Sequence, residues 1–98
     1  MEQRDYLIIL YDYYGELLSD DNKKYFEDYY FDNLSLGEIA DNSCISRNAV
    51  HKHIKSAEVK LMFYEEKLSL YDKDKRLREI LRIVKDEKIK NKIEEIFN

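Results

Sequence analysis

Seven apolar residues, Val50, Ile54, Ala57, Leu61, Tyr64, Leu68 and Tyr71, recur at intervals of 4, 3, 4, 3, 4 and 3. An α-helix returns side chains to one face at that spacing, so the pattern predicts a long helix from Arg47 to about Leu70. At 1.5 Å per residue such a helix extends roughly 36 Å, longer than a small core needs. Composition points the same way. The 98-residue chain has two glycines and no proline, and a β-rich fold would need more turn punctuation than that. Its apolar residues are mainly Leu, Ile and Tyr, which argues against disorder. The expectation is an all-α fold with residues 1–98 as one domain.

Upstream of the stripe, residues 4–18 read as a first helix, with Leu7, Leu10, Tyr14, Leu17 and Leu18 along its inner side. Gly15 should weaken it by roughly 1 kcal/mol relative to alanine. Ser19, Asp20 and Asp21 offer acceptors for the start of a second helix, about 21–32, which Asn33 and Leu34 end. Ser35 and Glu38 have capping-box spacing for the short helix LGEIADN. Ser46 is placed to cap the long helix. Beyond it, Asp72 reads as the N-cap of a helix near 73–87 with Leu77, Leu81 and Val84 inward. A last helix, near 87–97, offers Ile89, Ile93, Ile96 and Phe97, so residues 72–98 form a helical extension.

Residues 35–56 have the packing code of a helix-turn-helix. Ala40 sits where two helices approach closely, Ile45 plugs the turn, and Val50 anchors the second helix on the first. That register turns Arg47, Asn48, His51, Lys52 and Lys55 outward on the second helix, beside the capping Ser46. Arginine and asparagine can pair with base edges, and lysines can hold phosphates. An ordinary helical hairpin with a solvated polar face is the competing reading. Ser43 and Cys44 stand where such turns usually carry leucine and glycine. A left-handed Cys44 would cost about 1–2 kcal/mol, a cost that Asn42 or a shifted turn would avoid.

Charge narrows the function classes. Residues 1–34 carry three basic and nine acidic side chains, a net −6, whereas residues 35–60 and 61–98 are each +1. This is not the profile of a strong non-specific nucleic-acid binder, and any contact would be local. YLIILY, residues 6–11, is too short for a secretory h-region, and no run reaches the length of a membrane span. One cysteine cannot form an intramolecular disulfide, which suits a reducing cytoplasm. Cys44 reads as a semi-buried turn residue.

His51 and His53 lie two apart on a helix, share no face and read as polar surface. Asp72-x-Asp74 lacks the other ligands of a calcium loop. The tyrosines, nine in all, lie mostly on core-facing stripes. No nucleophile–base pair or phosphate cradle is recognisable, so the expectation is a non-enzymatic protein without cofactor or metal. The distal part of the heptad stripe has few partners in the chain. Leu61, Tyr64, Leu68 and Tyr71 are therefore candidates for a homodimer seam, with intrachain packing the alternative.

The stretch SLGEIADNSCISRNAVHKHIKSAEVKLMFYEEKLSL, residues 35–70, resembles the YlxM family, as does LYDYYGELLSDDNKKYFEDYYFDNLSLGEIA, residues 10–40. ISRNAV and YEEKL carry most of the specificity. The resemblance implies a small cytosolic, often dimeric helical protein whose helix-turn-helix is similar to region 4 of sigma factors. It also implies a role beside the signal recognition particle GTPase, with Ser46, Arg47, Asn48, His51 and Lys52 as nucleic-acid contacts. The leading expectation is an accessory protein of that particle binding its RNA, its GTPase, or both. The alternatives are a DNA-binding transcription regulator using residues 46–56, and an adaptor that no longer binds nucleic acid.

Overall fold

In the computed structural model, which describes residues 1–97, α1 spans Gln3–Tyr14 and a 3-10 turn, Gly15–Leu17, follows it. The later helices are α2 (Asp20–Tyr30), α3 (Leu36–Ser43), α4 (Arg47–Leu68), α5 (Leu70–Leu81) and α6 (Glu87–Phe97). The described residues contain no strand, and the fold is all-α. The first half of the heptad stripe is the axis of the core. Val50, Ile54, Ala57 and Leu61 of α4 receive Leu7, Leu10 and Tyr14 from α1, Tyr25, Phe26 and Tyr30 from α2, and Ile39 and Ala40 from α3.

Three N-caps fall where the sequence puts them. Ser19 Oγ accepts from the Asn22 N–H at 3.2 Å, and Ser46 Oγ from the Ala49 N–H at 3.1 Å. Ser35 and Glu38 make a complete capping box, each side chain accepting from the other's backbone N–H at 3.1 Å. Such caps each contribute about 1 kcal/mol. Arg4 holds the far end of α2. Its guanidinium donates to the Tyr30 carbonyl at 3.1 Å and to Asn33 Oδ1 at 3.2 Å, a positive charge set at the negative end of the helix dipole.

Several boundaries differ from the sequence reading. The first helix stops at Tyr14, so Leu17 is 55% exposed while Leu18 turns inward from an extended backbone. Gly15 provides space there: a Cβ on it would meet the Tyr11 ring at 2.9 Å. The long helix stops at Leu68 because Ser69 adopts the left-handed conformation, φ 55° and ψ 32°.

The next helix starts at Leu70, which puts Asp72 in its first turn rather than at its cap. Glu65 supplies the cap instead. The Tyr71 and Asp72 N–H groups donate to its Oε1 and Oε2, both at 3.1 Å. The Tyr14 hydroxyl donates to the same carboxylate at 2.6 Å and accepts from the Leu70 N–H at 3.0 Å. A buried carboxylate on α4 therefore joins α1 and α5.

The helix expected near 73–87 ends earlier, at Leu81, which is buried; Leu77 and Val84 are half-buried. In α6, Ile93 and Phe97 are half-buried, but Ile89 and Ile96 are exposed. α5 and α6 extend from the core as an arm. The molecule measures 57 × 24 × 23 Å, and its radius of gyration is 17.3 Å, against about 13 Å for a compact chain of this length.

Candidate nucleic-acid interface

α3 and α4 are joined by a turn at residues 44–46, the helix-turn-helix read from the sequence. Cys44 has φ 56° and ψ 40°, and the Ile45 N–H closes on the Ala40 carbonyl at 3.1 Å. The turn thus keeps the left-handed geometry usually given to glycine, and Asn42 remains helical. Cys44 is also exposed rather than semi-buried. Glycine removes the Cβ conflict but adds unfolded-chain entropy. Cys44→Gly should therefore raise stability by about 0.5–1 kcal/mol in urea unfolding. A loss of stability would contradict the strain account.

Ser46, Arg47, Asn48, His51, Lys52 and Lys55 are all exposed. Opposite them Val50, Ile54 and Ala57 are buried, so the core fixes which face of α4 meets solvent. The structure separates the three cations by their surroundings. Arg47 lies back over α3, and a Cβ on Gly37 would meet its Nη2 at 2.8 Å. That seat is in the first turn of α3, where the dipole carries partial positive charge and gives a guanidinium little hold. Lys52 has no ion pair among the described residues. Lys55 Nζ is 3.4 Å from the Glu58 carboxylate, so an incoming phosphate competes with Glu58 for it.

Other residues frame this face that the sequence reading passed over. Lys24 of α2 reaches Ser43 Oγ at 3.4 Å and adds a cation beside the turn. Glu58 accepts from the Tyr30 hydroxyl at 2.5 Å; burial, then this bond, pushes the Tyr30 phenol above its usual range. His53 is not simple polar surface. It is half-buried against Tyr25, with Nδ1 3.0 Å from Asn22 Oδ1, which assigns the proton to Nδ1. Asn22, itself buried, donates to Ser56 Oγ at 3.1 Å. This polar clamp sets the rotation of α4 against α2. Its sequence signal is two polar residues, His53 and Ser56, three apart on one side of α4.

The dimer candidates divide as well. Leu61 is fully buried in its own chain, at 0% exposure, within the core that α1, α2, α3 and α4 share. Tyr64 packs on Tyr14, and Tyr71 sets its ring edge-on to Tyr6 and Tyr13. Leu68, the last residue of α4 before the break at Ser69, alone of the four is open, at 44% exposure.

An all-α chain with this short helix, left-handed turn and solvent-facing cationic second helix is a helix-turn-helix protein. The chain belongs to the family described as "UPF0122: Putative helix-turn-helix protein, YlxM / p13 like", whose model matches residues 1–98. Among its relatives, UPF0122 protein BH2485 of Halalkalibacterium halodurans is 47% identical over 77 residues, covering 79% of this chain and 71% of the relative. UPF0122 protein Teth514_1714 of a Thermoanaerobacter species is 46% identical over 89 residues, 91% of this chain and 72% of the relative. A UPF0122 protein of Bacillus pumilus is 42% identical over 86 residues, 88% and 78% of the two chains. The resemblance carried by ISRNAV and YEEKL thus extends to the whole family pattern.

Proposed function

We propose that the protein is a non-enzymatic accessory factor of the signal recognition particle pathway, binding the particle's RNA through the first three turns of α4. The observation that carries this reading is the exposed strip of Ser46, Arg47, Asn48, His51 and Lys52 opposite a buried face. The family resemblance supplies the partner, and the strip supplies the chemistry of contact. The acidic head, net −6 over residues 1–34, repels phosphates and suits a basic protein surface such as the particle's GTPase. No helix among the described residues is long and apolar enough to cross a membrane. An exposed, unpaired Cys44 suits the reducing cytoplasm.

Gel shifts with particle RNA and random duplex DNA at several salt concentrations test the reading. Arg47→Ala with Lys52→Ala should weaken RNA binding about tenfold or more while helicity is kept. Unchanged affinity would remove the strip from the site. Sequence-selective duplex binding would favour a transcription regulator, and no shift at low salt would favour an adaptor.

The protein acts as a homodimer, its seam formed by Leu68 and the open apolar residues of the arm. Ile80, Ile83 and Ile96 are each at least half exposed, Ile83 at 76% and Ile96 at 77%, apolar surface that a second copy would take out of water. A two-fold axis there would present two recognition helices to one ligand. Light scattering should return twice the 11.9 kDa chain mass. A monomer at micromolar concentration would overturn the dimer.

A further inference from the structure

The most basic stretch of the chain lies outside the helix-turn-helix. Residues 73–85, KDKRLREILRIVK, hold six basic and two acidic side chains, a net +4 in a protein of net −4. On α5 the charges are sorted by face. Tyr71, Lys75, Arg78 and Arg82 follow one another at intervals of 4, 3 and 4, which places them within about 60° of arc. Lys75, Arg78 and Arg82 are exposed, and none of them forms an ion pair among the described residues.

The strip borders a groove of about 280 Å³ whose floor is the half-buried rings of Tyr13 and Tyr71. Asp74 accepts from the Tyr13 hydroxyl at 2.5 Å and keeps its charge, so the groove is lined by three cations against two carboxylates, Asp74 and Glu79. Arg78 is held with its guanidinium 4.1 Å from the Phe97 ring centroid, a contact that leaves its N–H groups free to donate. Glu79 stands on the flank of the strip and narrows it without dividing it.

We infer that this groove on α5 is a second nucleic-acid contact, taking the phosphodiester backbone of a single-stranded or looped RNA segment. Three unpaired cations in a row along an aromatic-floored groove match the pattern of a surface that tracks a strand. A lipid surface would instead meet a convex face backed by apolar residues, and here the concave side carries the charge. Residues 56–68 of α4, about 20 Å of helix, lie between this groove and the recognition strip. A ligand touching both is therefore an extended polyanion. The inference rests on the reading that the chain binds RNA, and it adds a site that the helix-turn-helix does not contain.

Fluorescence anisotropy with a labelled oligouridylate and with particle RNA, over a series of salt concentrations, tests it. K75Q/R78Q/R82Q should bind about tenfold or more weakly at low salt. The slope of log K against log salt should fall by about 2, three phosphates at about 0.7 each for a single strand. R78K/R82K keeps the charges and should keep the slope; losing it there would overturn the electrostatic account. An unchanged slope in the glutamine variant, with binding lost in R47A/K52A, overturns this inference and leaves the helix-turn-helix reading standing. The reverse pattern supports the α5 site and removes the recognition strip. Absence of wild-type RNA binding at low salt overturns both. If phosphatidylglycerol vesicles lose binding to the glutamine variant while its RNA slope is unchanged, the groove serves a lipid surface and the inference fails.

Discussion

Replacing Glu65 with leucine is expected to lower stability by about 3 kcal/mol or more, because three donors share its carboxylate. The Tyr14 hydroxyl and the Tyr71 and Asp72 N–H groups would each lose their acceptor. The Tyr14 hydroxyl is buried, and a buried donor left unpaired costs about 1–3 kcal/mol. The two part-buried amides each add less, and three that share one partner add less than fully. In a chain of this size, 3 kcal/mol lowers the melting midpoint by roughly 12–24 °C. Thermal melts followed by circular dichroism would measure it, and a drop under about 4 °C would defeat the cap assignment. Glu65→Gln keeps one acceptor oxygen and should fall between.

The same network sets an alkaline limit. Burial first, then the bond to Glu65, pushes the Tyr14 phenol up from 10.0 to about 12. A raised phenol means that the folded state prefers the neutral form. Its contribution is complete below pH 10 and is lost as pH rises through about 12.

Phe26→Ala should cost about 3–5 kcal/mol, the range for deleting a buried aromatic ring. Phe26 is fully buried between two tyrosines, stacked on Tyr11 at 4.8 Å and on Tyr30 at 4.3 Å between centroids. Both tyrosines end in carboxylate bonds, Tyr11 to Glu27 at 2.8 Å and Tyr30 to Glu58, so neither ring can follow the cavity inward without breaking one. The site cannot collapse, which puts the cost toward the upper end. Phe26→Leu fills much of the space and should lose clearly less in urea unfolding. Equal losses for the two variants would mean that the ring stack, rather than the volume, carries the energy.

What could be read in advance follows from distance along the chain. The caps at Ser19, Ser35 and Ser46 are contacts within three residues, and the spacing of Ala40, Ile45 and Val50 is a local code; all of these were legible. The outward face of α4 was legible too, because the buried stripe fixes its opposite.

Glu65 was not. Its donor on α1 lies 51 residues away, and its capping role appears only once the helix has broken at Ser69. Serine gives little warning of a left-handed residue, and a heptad that continues through it to Tyr71 argues against a break. The role of His53 needs Asn22 from another helix, so helical spacing alone made it look like surface. The sorted charge of α5 was hidden by averaging over residues 61–98, where Glu65, Glu66, Asp72 and Asp86 offset most of it.

Ser69 has a mechanical consequence. One left-handed residue, neither glycine nor proline, is the whole joint between α4 and α5, so the arm pivots about a single pair of torsions. α5 is 12 residues, about 18 Å long, and a 10° rotation at Ser69 swings its far end by roughly 3 Å. The Glu65 carboxylate spans that joint and grips the first two amides beyond Leu70. It works as a brake on the lever, four residues before the pivot, alongside the Tyr13–Asp74 hydrogen bond and the Tyr71 contacts with Tyr6 and Tyr13 that also tie the arm to the head.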